Sequence, residues 1–167
     1  MSLSTTERLI HAFVTSRLDN CNSVLHGLPN YVINRLQLVQ NAAARLVVLS
    51  SKHDHVSPIL ADLHWLPIHF RIQFKILLLT FKALHGLAPV YLQDLLSKKS
   101  SSRNLRSSSQ LLLQTKSFNM KTYGLRSFSV AAPLLWNSLP SDIRDIHQLS
   151  SFKSALKTYL YNLAYNP

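Results

Sequence analysis

The chain has 167 residues, of which 47% are hydrophobic and three are glycine. This length and composition suit one domain with a real core, and they exclude a wholly disordered chain. Eighteen Lys and Arg residues against seven Asp and Glu give a net charge of +11, which is typical of proteins that bind a polyanion. The single cysteine, Cys21, excludes an intrachain disulfide and a Cys-rich zinc motif.

Helical periodicity dominates the first 96 residues. Apolar residues recur every three to four positions, and proline at the first helical position marks the start of several segments. The segment 67–86 is apolar around almost its whole circumference, so we expect it at the centre of the domain. The predicted helices span about 4–19, 31–49, 57–63, 67–86 and 89–96.

The composition changes after residue 96. Residues 97–109 read "SKKSSSRNLRSSS", which is typical of a basic, Ser-rich linker. Residues 110–167 form a C-terminal segment that ends in an amphipathic helix, and we expect this helix to dock on the helical core of residues 1–96. The predicted fold class is mainly α: a single helical domain of about six helices around a central apolar helix, with a short β-hairpin near 110–121 as an open alternative.

The charge is distributed unevenly. No acidic residue occurs between Asp94 and Asp142, although seven basic residues do. Lys and Arg neutralise phosphates, and the nearby Phe118 and Tyr123 could stack on unpaired bases. The alternative is a solvated linker without a partner. The predicted nucleic-acid-binding residues are Lys98, Lys99, Arg103, Arg106, Lys116, Lys121 and Arg126.

Four histidines, His53, His55, His64 and His69, fall within seventeen residues. Their spacings of two and five differ from the i, i+4 pair of a helical zinc site, so a metal site is the minor alternative. The favoured interpretation is that His64 and His69 cap helix ends or stack on Trp65.

Catalytic motifs are missing from the sequence. It contains no Gly-x-Ser-x-Gly, no phosphate-binding Gly-rich loop and no Gly-x-Gly-x-x-Gly. A Cys21–His26 nucleophile and base is a less favoured interpretation than a half-buried structural cysteine. We therefore predict no catalytic residue, no metal ligand and no cofactor.

Several motifs together resemble the C-terminal region of non-LTR (LINE-type) retrotransposon reverse transcriptases. They occur in the order expected for that family over nearly the whole chain. They are "LIHAFVTSRLDNCNSVLHGLP" (9–29), "RLQLVQNAAARLV" (35–47), "LHWLPIHFRIQFKILLLTFKALHGLAPVYLQDLL" (63–96), "SFSVAAPLLWNSLPSDIR" (127–144) and "SFKSALKTYL" (151–160).

The resemblance implies the end of a polymerase thumb and a C-terminal helical domain. The aromatic-Ala-Asp-Asp signature of the family's palm domain is absent from these 167 residues, as is the endonuclease, so the chain is not expected to be an enzyme on its own. Two positions depart from the family pattern: Asn20 stands where an aromatic residue is usual, and Leu125 where an acid is common.

The expected partner is the RNA or DNA backbone, and no membrane partner is expected. The resemblance also leaves open self-association through a surface that the missing polymerase half would cover. An intracellular location is expected, in the nucleus or the cytoplasm. Two alternatives to nucleic-acid binding stay open: a structural or protein-interaction domain, and an inert retrotransposon-derived reading frame.

Overall fold

The computed structural model describes residues 3–99, 111–115 and 124–166. These residues confirm the mainly α fold class, since β structure among them is limited to one antiparallel bridge between Lys98 and Leu113. The α-helices are α1 Leu3–Ile10, α2 Ser16–Asp19, α3 Asn30–Val48, α4 Val56–Asp62, α5 Ile68–Leu84, α6 Val90–Gln93, α7 Phe128–Asn137, α8 Ser141–Arg144 and α9 Leu149–Tyr165.

The first predicted helix is interrupted. A π-helical segment, His11–Thr15, joins α1 to α2, and a 3-10 helix, Asn22–Leu25, follows. A π segment widens the helix by changing the backbone hydrogen bonds from i+4 to i+5. Apolar periodicity does not report that change, so the sequence predicted one uninterrupted helix.

The chain forms two compact units. Unit 1 comprises Met1–Ile72 and Tyr159–Pro167, and unit 2 comprises Gln73–Thr158. Both boundaries lie within helices, so α5 and α9 each contribute residues to both units. The predicted domain limits at residues 96 and 110 stay predictions, and the linker beyond Lys99 lies outside the described residues.

Unit 1 is built around the small, buried face of α3, which packs against α1 and α4. Trp65, in the turn between α4 and α5, is 6% exposed and fills this core. Truncation of a buried tryptophan to alanine typically lowers the free energy of unfolding by ~3–5 kcal/mol, so Trp65 contributes strongly to the stability of unit 1. The buried cluster comprises Ile10, Ala43, Ala44, Val47, Leu60 and Trp65.

Unit 1 also receives the end of α9. The hydroxyl of Tyr161 donates to the carbonyl of Ala61 at 3.1 Å, and that of Tyr165 donates to the carbonyl of Trp65 at 2.5 Å. The two tyrosines are one helical turn apart, so they lie on one face of α9. Together they hold this end of the helix against the end of α4 and the turn that contains Trp65.

Unit 2 has an aromatic core. Phe81 of α5 stacks on Phe152 of α9 with ring centroids 4.3 Å apart, and Trp136 of α7 lies 5.8 Å from Phe152. All three side chains are fully buried. The Trp136 indole N–H donates to the carbonyl of Leu111 at 2.8 Å, which satisfies the one polar atom of that ring.

The segment 111–115 falls within residues 110–121, for which the sequence left a short β-hairpin open as an alternative. In the structure it pairs with residues 97–99 instead: Lys99 N–H donates to the Leu112 carbonyl at 2.9 Å and Gln114 N–H to the Ser97 carbonyl at 2.8 Å. The rest of the predicted hairpin, residue 110 and residues 116–121, lies outside the described residues.

Candidate nucleic-acid interface

Positive charge is concentrated in unit 2. Twelve of the eighteen Lys and Arg residues fall in Gln73–Thr158, together with three of the seven acids. Unit 1 holds the other six basic residues and four acids, so it is close to neutral. A polyanion would therefore be attracted mainly to unit 2.

The acids of unit 2 leave this charge unneutralised within the described part of the chain. The ion pairs there join Arg71 to Asp19 and His11 to Glu7, and all four residues belong to unit 1. Asp94, Asp142 and Asp145 form no ion pair with a described basic residue. The described lysines of unit 2 are thus available to an external anion.

Lys98 and Lys99 are placed by backbone pairing with residues 111–115. Both side chains are exposed, although the Lys99 N–H is hydrogen-bonded to Leu112. Asn137 of α7 fixes the other side of this pairing, because its side-chain amide bonds both the N–H and the carbonyl of Leu113, at 2.9 and 2.8 Å. The two ammonium groups are therefore presented from an anchored backbone.

A cleft of about 600 Å³ lies beside Lys99. Three of the side chains that line it are polar and exposed, namely those of Lys99, Gln114 and Thr115. Ammonium, amide and hydroxyl groups can all donate hydrogen bonds to phosphate or sugar oxygens. The lining residues are Lys99, Leu112, Leu113, Gln114, Thr115 and Asn137.

The structure places three of the seven predicted binding residues. Lys98 and Lys99 lie together on the bridged segment, and Arg126 ends a 3-10 helix, Gly124–Arg126, in the same unit, half-buried. Gln114, Thr115 and Asn137 were missed, because no local pattern marks a residue that faces a cleft. The other predicted residues, Arg103, Arg106, Lys116 and Lys121, lie outside the described residues, as do Phe118 and Tyr123.

Arg144, at the end of α8, is a buried charged residue. Its side chain is 7% exposed, and neither Nε nor Nη1 has a hydrogen-bond partner among the described residues. Burial of guanidinium nitrogens without partners is unfavourable, and Arg144 places a largely buried positive charge in unit 2.

Two of the four clustered histidines, His64 and His69, contact aromatic rings, and all four are exposed. His64 has a left-handed backbone, with φ at 54°, and stacks on Tyr161 with centroids 5.6 Å apart. The ring that contacts Trp65 belongs to His11, at 5.4 Å. His64 instead hydrogen-bonds the carbonyl of Asp62, the last residue of α4, at 3.1 Å, which agrees with the expected capping of a helix end. Burial, followed by the charge of His69, lowers the pKa of His26.

Other kinds of site have little support in the described ranges. No group of three or more His, Cys, Asp or Glu residues there could hold a metal ion. Cys21 is exposed and not half-buried as expected. None of the described helices combines the length and apolar character needed to cross a bilayer.

The motifs that carry the family resemblance make long-range contacts within the chain. The buried amide of Gln40, in "QLVQN", donates to the carbonyl of Leu66, in "LHWLP", at 2.9 Å. Gln37 accepts from the N–H of Ile68 at the start of α5, and Asn137, in "PLLWN", holds Leu113. Comparison of the chain with protein-family models, with curated proteins and with solved structures found no match.

Proposed function

We propose that this chain is a nucleic-acid-binding module from the C-terminal region of a non-LTR retrotransposon reverse transcriptase, without polymerase chemistry of its own. The observation that carries the proposal is the charge of unit 2, where twelve basic residues meet three acids. The sequence motifs support the family, and the exposed Lys98 and Lys99 beside a polar cleft support the ligand class.

The chemistry of the described interface favours the sugar–phosphate backbone. Lys98 and Lys99 would neutralise phosphates and release bound counterions, which makes the affinity fall steeply with salt. Gln114 and Thr115 would add hydrogen bonds to phosphate or sugar oxygens. Contacts of this kind set the position of the strand and carry little sequence information, so we propose binding with weak sequence preference.

A salt titration tests this function. The purified chain is titrated against a labelled single-stranded RNA and a labelled DNA duplex, and Kd is measured by fluorescence anisotropy from 50 mM salt upward. The double variant Lys98→Gln/Lys99→Gln should bind more weakly at every salt concentration, and the slope of log K against log salt should fall by about 2.

Lys153→Gln/Lys157→Gln is the matched control. It removes the same charge from the same unit, at two exposed positions of α9. It should therefore lower the affinity less than Lys98→Gln/Lys99→Gln does, and it should reduce the slope of log K against log salt by less. Equal effects of the two variants would contradict a localised interface. Undetectable binding of the wild-type chain at 50 mM salt would contradict nucleic-acid binding altogether.

The absence of polymerase chemistry has its own assay. Incubation of the chain with a primed template, Mg²⁺ and deoxynucleotides should give no extension of the primer. If the chain still incorporated nucleotides after repurification, this part of the proposal would be overturned.

A further inference from the structure

Helix α3 has two opposite faces, and both are apolar. One face is buried in unit 1 through Gln40, Ala43, Ala44 and Val47. The other carries large apolar side chains that are exposed, with Tyr31 71%, Leu38 66% and Leu46 57% exposed. A surface helix normally places polar residues on its outer face, so the outer face of α3 departs from the ordinary pattern.

The exposed apolar residues form a stripe that the exposed Arg35 interrupts between Tyr31 and Leu38. At about 100° per residue, Tyr31, Leu38, Ala42 and Leu46 fall within an arc of about 80°, and they extend over about 22 Å of helix. Leu49 continues the stripe just beyond the helix, where it adopts a left-handed backbone, with φ at 56°, and is 83% exposed. We call these five residues the α3 stripe.

A groove accompanies the end of the α3 stripe. Its volume is about 450 Å³, and Ala42, Leu46 and Leu49 line it together with Arg45, Ser50 and Lys52. Arg45 is held at this rim, since its Nη2 donates to the carbonyl of Asp54 at 3.0 Å. The groove thus combines an apolar floor with two cationic groups.

The charge beside the stripe has one sign along the whole helix. The charged residues of α3 are Arg35 and Arg45, and the helix contains no acid. By helical geometry Arg35 lies within the arc of the stripe, about 20° from its centre line, and Arg45 lies about 60° from that line on the other side, near the C-terminal end. A partner that buries the stripe therefore meets one cation within it, Arg35, and another on one flank, Arg45.

From this complementarity we propose that the α3 stripe binds an amphipathic α-helix of another protein, whose apolar stripe is flanked by Asp or Glu. A helix lying along a groove through residues at i, i+3, i+4 and i+7 is a common mode of recognition. Acidic flanks would pair with Arg35, Arg45 and Lys52, which would direct association and fix the orientation of the bound helix.

A second copy of this chain fits less well. If two α3 stripes paired antiparallel about their midpoint, Arg35 of each copy would lie level with Arg45 of the other along the helix axis. A parallel pairing would set Arg35 against Arg35. Juxtaposed like charges are unfavourable in an interface. A lipid surface is also a poorer match, because interfacial helices carry a denser basic face than three cations.

Peptide binding tests the proposal. The probe is a labelled amphipathic peptide of three heptads with leucine at the a and d positions and glutamate at the e and g positions. Its control carries lysine in place of glutamate. The acidic peptide should bind the full chain, and Leu38→Gln/Leu46→Gln should weaken it at least about tenfold, since two exposed apolar contacts are lost. Leu87→Gln/Val90→Gln, at exposed positions of unit 2, should leave its affinity unchanged.

Charge reversal gives the sharper result. Arg35→Glu/Lys52→Glu should weaken the acidic peptide and strengthen the lysine peptide, while circular dichroism shows an unchanged fold. Three results would overturn the proposal: equal affinity for the two peptides, a dimer in light scattering that Leu38→Gln/Leu46→Gln abolishes, or binding to phosphatidylserine vesicles without binding to the acidic peptide. Because the α3 stripe lies in unit 1, none of these results depends on nucleic-acid binding by unit 2.

Discussion

Asn137 and Leu113, 24 residues apart, exchange two hydrogen bonds between a side-chain amide and a main-chain peptide. The amide of Asn137 presents one acceptor and one donor, so it substitutes for a neighbouring strand. Leu113 is 1% exposed. This pair anchors the backbone that in turn bridges to Lys98, and thereby couples the fold of unit 2 to its candidate interface.

Replacement of Asn137 by alanine is expected to destabilise unit 2. Two buried main-chain groups of Leu113 would lose their partners, at a cost of about 2–3 kcal/mol. Urea denaturation measures the change in the free energy of unfolding, and the amide of Leu113 should exchange faster with deuterium. Asn162→Ala, at an exposed position of α9, should leave both measurements nearly unchanged, and a similar loss there would contradict the assignment.

Gln40 is expected to be similarly sensitive in unit 1. Its side chain is 2% exposed, donates to the carbonyl of Leu66 and accepts from Gln37 at 2.9 Å. Gln40→Leu preserves much of the volume but leaves the Leu66 carbonyl without its donor, so we expect a loss of about 1–3 kcal/mol. Thermal and urea denaturation measure it, with exposed Gln148→Leu as the control. If Gln40→Leu left the free energy of unfolding unchanged, the hydrogen bond to Leu66 would contribute nothing to stability.

The Asp19–Arg71 ion pair should contribute measurably to stability. Two guanidinium nitrogens of Arg71 bond both carboxylate oxygens of Asp19, and the Arg71 side chain is 17% exposed. A double-mutant cycle with Asp19→Asn and Arg71→Gln should give a coupling energy of about 1 kcal/mol that shrinks at high salt.

The His11–Glu7 pair provides the comparison. It is an i, i+4 pair whose side chains are 46% and 42% exposed, so the same cycle with His11→Gln and Glu7→Gln should give a coupling near zero. Equal coupling in the two cycles would mean that the bidentate geometry of Arg71 has no energetic consequence.

Tyr165 should make unit 1 sensitive to alkaline pH. Burial, followed by the neighbouring Tyr161, raises its pKa from 10.0 to about 12. Since the folded state holds this proton more tightly than the unfolded state, the stabilisation is complete below pH 10 and is lost as the pH rises towards 12. Tyr165→Phe should flatten this part of the pH–stability curve and cost about 1 kcal/mol at neutral pH. Tyr91 is 66% exposed, so the control variant Tyr91→Phe should show the same pH–stability curve as the wild-type chain.

Local periodicity was sufficient to predict the helical class and the positions of α3, α5 and α9. Each of these helices has an apolar repeat long enough to specify helix without tertiary information. The interruption of the first helix was beyond this kind of inference, since a π segment is formed by the same apolar residues as the α-helix around it. The extent of the candidate interface was inferred from charge alone, which locates basic residues along the chain but not in space.

What the sequence determined by itself is therefore the helical fold class and the excess of positive charge after residue 96. Only the tertiary structure decided which polar residues hold the chain together. The amides of Gln40 and Asn137 bond main-chain groups 26 and 24 residues away, and Asp19 pairs with Arg71 across 52 residues. The physical reason is that helical periodicity arises from neighbours within four residues, whereas each of these bonds depends on two distant segments being packed side by side.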